Sequence, residues 1–267
     1  MKVVQIVPSI GEESSGPSYS VPGLCRGLMS AGCDVALHFG GEMPARVFEY
    51  PVRCYPVSSF PHPRMGRSPE MLKGLIECGG SADVIHNNSL WMYSNVYGHW
   101  AIRELKRKGL KVPKLVNAPR GTLAVWSLKH HRLQKKLFGW YAQNAALAAT
   151  DMWHATCEKE YEEIRAQGYR QPVAIVPVGI EVPSPKSPDS GGDGRRKVVF
   201  FGRLHQVKAV DRLVQAWERL TAQGKREGWE LVIAGPDGGV RNELEGYVAE
   251  KKIPKVSFVG EINGPSK

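Results

Sequence analysis

Val198-Val199-Phe200-Phe201-Gly202-Arg203-Leu204-His205-Gln206-Val207-Lys208 sets a short apolar run against a glycine and then two cations five residues apart. The run is β-rich and too brief for a helix, and Gly202 supplies the turn that ends it. A helical pattern follows over Asp211–Ala222. Strand, glycine turn and helix make the opening of a βαβ unit, where ligands meet the carboxyl end of the strand. Arg203 offers a planar fork there and Lys208 a point charge, so together they can grip a diphosphate from two sides. Negative charge developing on a departing phosphate would be stabilised at the same place. The plain alternative is a solvated basic turn.

Working outward, the same alternation fills the chain. Upstream, strands are expected at Val3–Pro8, Asp34–Phe39, Asp83–His86, Leu115–Ala118, Met152–Thr156 and Val173–Val178. Helices are expected over Tyr19–Met29, Glu70–Glu77, Val96–Lys108, Arg132–Ala149 and Lys159–Gln167, with a Pro-rich loop at Pro56–Pro69. Downstream come strand Glu230–Ala234, helix Asn242–Glu250 and strand Val256–Val259. Strands separated by helices imply crossovers and a mostly parallel sheet, an α/β doubly wound class. The Pro-, Ser- and Gly-rich stretch from Pro183 to Gly194 reads as a linker. Residues 1–182 therefore form one domain, 183–196 a linker, and 197–267 a second domain. Three strands and two helices are a small core, so this second domain is expected to be incomplete.

Composition narrows the class. Of 267 residues 42% are hydrophobic, which excludes a disordered chain. No apolar run approaches the roughly 20 residues that cross a bilayer, and the apolar stretch in Met1–Pro8 is too short for a secretory signal. Cys25, Cys33, Cys54, Cys78 and Cys157 are an odd, scattered set without a C-x-x-C pair. They read as reduced thiols of a cytoplasmic protein and offer no zinc spacing.

The net charge of +10 is local. Residues 101–140 hold eleven Lys and Arg and one acid, Glu104, while the rest of the chain balances. Such a field attracts phosphates. It is read either as a solvated face of two helices or as a surface for anionic lipid or a phospholipid-linked acceptor. The second possibility would put the protein at the inner face of the membrane as a peripheral component. Nucleic acid is not expected, since no helix-turn-helix, zinc-finger or RNA-binding signature is present.

Between the first strand and helix lies Gly11-Glu12-Glu13-Ser14-Ser15-Gly16-Pro17-Ser18, the usual phosphate-facing position of such sheets. Pro17 stands where a P-loop needs Lys, and G-x-G-x-x-G is missing. P-loop nucleotide hydrolysis and nicotinamide chemistry are thereby disfavoured.

Taken in order, six motifs resemble the family 4 (group 1) retaining glycosyltransferases of GT-B fold. They are Gly11–Gly16; Asp83-Val84-Ile85-His86-Asn87-Asn88-Ser89-Leu90-Trp91; and Ala118-Pro119-Arg120-Gly121-Thr122-Leu123 with Trp126. The others are Val176-Pro177-Val178-Gly179-Ile180-Glu181, Phe200–Leu204 with Lys208 and Leu213–Trp217, and Leu231-Val232-Ile233-Ala234-Gly235-Pro236. The resemblance implies two Rossmann-like domains and transfer of a sugar from a nucleotide diphosphate sugar, without a metal or other cofactor. It assigns Arg203 and Lys208 to the donor phosphates and the leaving group, and Gly16, Gly202 and Gly235 to the donor. His86 and Arg120 fall on the acceptor and sugar side.

Three departures accompany it. Many relatives carry His where Arg120 stands, and Arg binds anions but cannot act as a base. Gly normally follows the Lys, and here Ala209 does; a left-handed backbone there would cost about 1 kcal/mol. The family's E-x7-E element would lie beyond Lys267, so the chain is expected to be cut within the donor domain. A non-catalytic binding module is the alternative function, and a GT-B sugar-nucleotide epimerase a third.

Other residues have simpler readings. Asn87 and Asn88 suit a turn. His130 and His131, being adjacent, cannot share a helical face as a metal pair. Glu158, Glu160, Glu162 and Glu163 suit the macrodipole at a helix start. Trp91, Trp126 and Trp140 read as packing residues, with Trp126 able to border an acceptor cleft.

Overall fold

Six expected runs and one further segment become seven parallel strands in the first unit, Met1–Glu181. These are β1 (Lys2–Val7), β2 (Asp34–Gly40), β3 (Val52–Tyr55), β4 (Val84–Asn88), β5 (Lys114–Ala118), β6 (Met152–Ala155) and β7 (Val173–Ile175). In this computed structural model residues 1–11, 16–180, 196–225 and 227–262 are described. The sheet order is β3-β2-β1-β4-β5-β6-β7. The chain thus winds outward from β1 in one direction, then returns to β4 on its other side. That reversal between β1 and β4 is the topological switch point, outside whose carboxyl ends ligands bind.

Helices cover both faces, as a parallel sheet requires. α1 (Pro17–Ser30) packs Val21 and Cys25 against Val7, Leu37 and Phe39. On the other face α2 (Pro69–Gly79) and α3 (Ser94–Arg107) bring Met71, Leu75, Val96 and Ala101 onto Val4, Ile6 and Ile85. α7 (Glu158–Ala166) closes the far end through Ile164, beside Trp153 and Ala155.

Several expectations change. β3 was unforeseen: it is four residues flanked by Pro51 and Pro56, and such edge strands carry a weak signal. A short helix, α4 (Val125–Lys129), also precedes the expected one over Arg132–Ala149. That expected helix is divided into α5 (Arg132–Phe138), a π turn at Gly139–Gln143 and α6 (Asn144–Ala148). β7 ends at Ile175, three residues early. Asn87 and Asn88 are not turn formers; they lie in β4, fully buried.

The second unit, Val182–Lys267, contains β8 (Arg196–Phe201), α8 (Val210–Ala222), β9 (Trp229–Ala234), α9 (Arg241–Glu250) and β10 (Val256–Gly260). Its sheet runs β10-β9-β8, all parallel. Trp217, Val214 and Leu244 pack with Leu231 and Ile233 in its core. The expected linker at 183–196 lies outside the described residues except for Arg196, which opens β8. The expected loop residues Glu12–Ser15 and the motif residue Glu181 also lie outside them.

Candidate functional site

In the second unit, the quoted stretch folds as a strand, a tight return and a helix. Gly202 donates to the Ala234 carbonyl at 2.9 Å, and Leu204 donates to that of Pro236 at 2.9 Å. Leu204 is buried, which turns its neighbour Arg203 out to solvent at the carboxyl edge of the sheet. A single 3-10 turn, Gln206–Lys208, then presents Lys208, also exposed. His205 starts that turn by accepting from the Val207 amide at 3.3 Å through Nδ1. Neither cation pairs with a carboxylate among the described residues.

The two helix starts nearby differ. α9 is closed by Asp237, whose Oδ1 accepts from the amides of Gly239 (2.7 Å), Val240 (3.2 Å) and Arg241 (3.2 Å). Those bonds hold the Asp237 carboxyl below its ordinary value. α8 has no side-chain cap but carries Asp211 in its first turn, so its first amides stay open to an anion beside Lys208 while that carboxylate offsets part of the positive end. Gly235 has φ 145°, and a Cβ there would lie 1.9 Å from the Gly202 carbonyl oxygen. Backbone meets backbone at this edge, and only glycine fits.

In the first unit, polar side chains converge on the β1/β4 switch point. Gln5 and His86 sit opposite each other in register. The hydrogen bonds between them form one directed series. Arg120 donates through Nε (3.2 Å) and Nη2 (2.9 Å) to Asn88 Oδ1. Asn88 Nδ2 donates to Gln5 Oε1 at 2.9 Å, and Gln5 Nε2 donates to His86 Nδ1 at 3.1 Å. His86 Nε2 then meets His154 Nδ1 at 3.3 Å, and His154 Nε2 meets the Val176 carbonyl at 2.9 Å. A carbonyl only accepts, so His154 carries its proton on Nε2 and takes one from His86 at Nδ1. Every link is satisfied with both imidazoles neutral. Burial accordingly pushes His86 well below its ordinary pKa, helped by His154 and Arg120, and burial lowers His154 too.

Asn87 faces the opposite side of the sheet. It donates to Asn117 Oδ1 at 2.8 Å and accepts from Asn95 Nδ2 at 3.2 Å. Asn117 in turn donates to Thr150 Oγ1 at 2.6 Å. Both asparagines thus brace the strand ends.

On the relay side a cleft of about 1210 Å³ opens within this unit. Gly16, Arg120, Gly121, His154, Glu160 and the backbone of Val176–Ile180 line it. Arg120 enters with φ 52° and Gly121 with φ 77°. Glu160, buried, fixes this loop: Oε1 accepts from the Gly121 amide at 2.5 Å, and Oε2 accepts from the Thr156 amide and hydroxyl at 2.6 Å each. Burial lowers the Arg120 pKa from its usual value, while Glu160 opposes that shift. Its N–H groups not engaged by Asn88 have no partner among the described residues.

Of the acceptor-side residues expected from sequence, Arg120 lines the cleft. His86 does not, because both ring nitrogens are engaged behind the wall. Sequence reasoning missed Gln5, His154 and Glu160. The one local signal was an acid three residues into α7, the position that reaches back to cap a helix start. Among the described residues no group of three His, Cys, Asp or Glu side chains could hold a metal ion.

Two sequence profiles cover almost the entire chain. The profile of the glycosyl transferase 4-like domain matches residues 15–179, and that of glycosyl transferases group 1 matches 195–267. No curated protein sequence matches the chain. Among solved structures, HepE of Anabaena, crystallised with UDP and glucose, is 15% identical with a TM-score of 0.71. That match spans 98% of this chain and 70% of HepE. WaaG, a glycosyltransferase of lipopolysaccharide biosynthesis, is 16% identical over 98% of this chain and 70% of its own, with a TM-score of 0.63. UDP-GlcNAc 2-epimerase from Methanocaldococcus jannaschii is 11% identical over 99% of this chain and 74% of its own, with a TM-score of 0.56. Likeness at these identities establishes the GT-B fold, which transferases and an epimerase share.

Proposed function

Because this chain belongs to the group 1 (family 4) glycosyltransferases, we propose that it moves a sugar, with retention, from a nucleotide diphosphate sugar to a saccharide or lipid-linked acceptor. The observation that carries this reading is Arg203 and Lys208, without a carboxylate partner among the described residues, at the strand edge beside the uncapped start of α8. On it, the guanidinium and ammonium bind the donor diphosphate and neutralise the charge that grows as it leaves. Gly202 lets that ligand approach backbone, and Gly235 lets the adjoining strand end close against Gly202 beside it. Gly16, at the start of α1, faces the first unit's cleft, and its assignment to the donor rests on the family resemblance alone.

Arg120 is the acceptor-side group with donors to spare, and it suits an acceptor that carries a phosphate or carboxylate. His86 works through His154, fastening the Val176 carbonyl and with it the cleft wall; its role is positioning. A UDP-sugar is the first donor to try, given the UDP and glucose bound to HepE.

The test is transfer measured over a panel of nucleotide sugars. Arg203→Ala and Lys208→Ala are each expected to lower kcat by about 100-fold or more, as loss of one transition-state cation does. Full activity in both variants would refute the donor assignment. Epimerised sugar formed with donor alone would replace transfer by the epimerase reading.

A further inference from the structure

The basic segment that the sequence presents as one block divides in two. Arg107 and Lys108 pair with Glu104, Lys111 with Asp83 and Lys114 with Asp151. Those four cations share three carboxylates, so most of their charge is offset within the chain. Arg120 is held at Asn88, and Lys135 donates to the Ser127 carbonyl while lying 5.9 Å from the Trp91 ring centre. Arg103 and Lys106 on α3, and Lys129, Arg132 and Lys136 on α4 and α5, remain with no carboxylate partner among the described residues; the last three lie close together in the chain. No acidic residue occurs between Glu104 and Asp151.

Beside these three cations stand large apolar side chains in water. Leu133 is 82% exposed, Leu137 67%, Trp140 81% and Tyr141 62%. Spaced by four, three and one, they share one face of the rod formed by α5 and the π turn. The opposite face carries Phe138, Ala142 and Ala146 into the core. Trp140 is therefore no packing residue. The rod is apolar on its inner side and its outer side is apolar as well, with Arg132 and Lys136 flanking the exposed apolar stripe and α4 with Lys129 packed alongside.

We propose that this outer face seats on the headgroup layer of an anionic lipid bilayer. Leu133, Leu137 and Trp140 enter the boundary beneath the headgroups, Tyr141 lies at it, and Lys129, Arg132 and Lys136 meet lipid phosphates. Trp and Tyr favour that boundary, and basic residues flanking an apolar stripe mark helices that lie in it. The charge argues for lipid over a second copy of the chain. A symmetric pairing would bring the same three cations against each other without an acid to separate them. The surface is independent of the donor reading: it stands or falls on lipid binding, whichever sugar is moved.

Sedimentation of the whole chain with vesicles tests it, using phosphatidylcholine alone and phosphatidylcholine mixed with phosphatidylglycerol, each at low and high salt. Binding is expected only with phosphatidylglycerol and to weaken with salt. Lys129→Gln with Arg132→Gln and Lys136→Gln should lower partition by about fivefold per cation. Leu137→Ser with Trp140→Ser should lower it by about tenfold or more while far-ultraviolet circular dichroism stays unchanged. Equal binding to neutral vesicles, no binding, or wild-type binding by both variants would overturn the proposal. A wild-type dimer that becomes monomeric in the Leu137/Trp140 variant would also overturn it, assigning the face to self-association.

Discussion

Ala209 adopts φ 51° and ψ 41°, the left-handed region, between the turn carrying Lys208 and the first residue of α8. A side chain there crowds the following carbonyl, at a cost of roughly 1 kcal/mol. The position demanded a glycine-like backbone, and the sequence departs from it. Ala209→Gly is expected to raise stability in urea unfolding by a few tenths of a kcal/mol, up to about 0.6, the strain relieved less glycine's added unfolded-state entropy. A fall in stability would show that the left-handed backbone is not strained by Ala. Arg203 and Lys208 were legible because their role depends on residues a few places apart at one turn. His154 was not, since its partner His86 lies 68 positions away. Asn88 misled for a related reason: asparagine signals a turn locally, but here its amide is satisfied by Gln5 across the neighbouring strand.

Among the elements, alternation of strand and helix was readable because buried parallel strands are plain apolar runs. The breaks were not. The π turn at Gly139–Gln143 adds a residue to a turn without changing the composition that signals a helix. Strand-borne histidines carry a consequence for acid stability. His38 in β2 is fully buried and hydrogen-bonds through Nδ1 with the Tyr55 hydroxyl at 3.0 Å, and burial with Arg53 nearby lowers its pKa to about 4. His86 and His154 shift in the same direction. In each case the unfolded chain takes up a proton near its ordinary value of about 6.5 before the folded one does. Their contribution is thus complete above that pH and is lost as pH falls below 6.5, down to about 4 for His38. Thermal unfolding should show a Tm that drops steadily over this window, and His38→Gln should flatten part of the slope. A Tm constant across it would contradict neutral burial.

At the scale of the molecule, the first unit has a seven-stranded sheet covered on both faces, and its cleft opens among α1 and the segments that follow β5, β6 and β7, at the carboxyl ends of the strands where such sheets bind ligands. The second unit has three strands whose helices share one face, leaving Val199 and Val259 on the other about half exposed. Fold class and the order of motifs were legible along nearly the full length, since both follow from local pattern. The depth of the cleft, and which of its polar groups still have donors to offer, depend on tertiary contacts and were not. The central claim is that Arg203 and Lys208 hold the β-phosphate end of the donor. Calorimetric titration of the chain with UDP against UMP, and with GDP against GMP, tests it in the wild type and in Arg203→Ala/Lys208→Ala. The preferred base should bind about tenfold or more tightly as the diphosphate, and the double variant should lose that preference while keeping its monophosphate affinity. Equal affinity for diphosphate and monophosphate in the wild type, or a preference that survives in the variant, would contradict it.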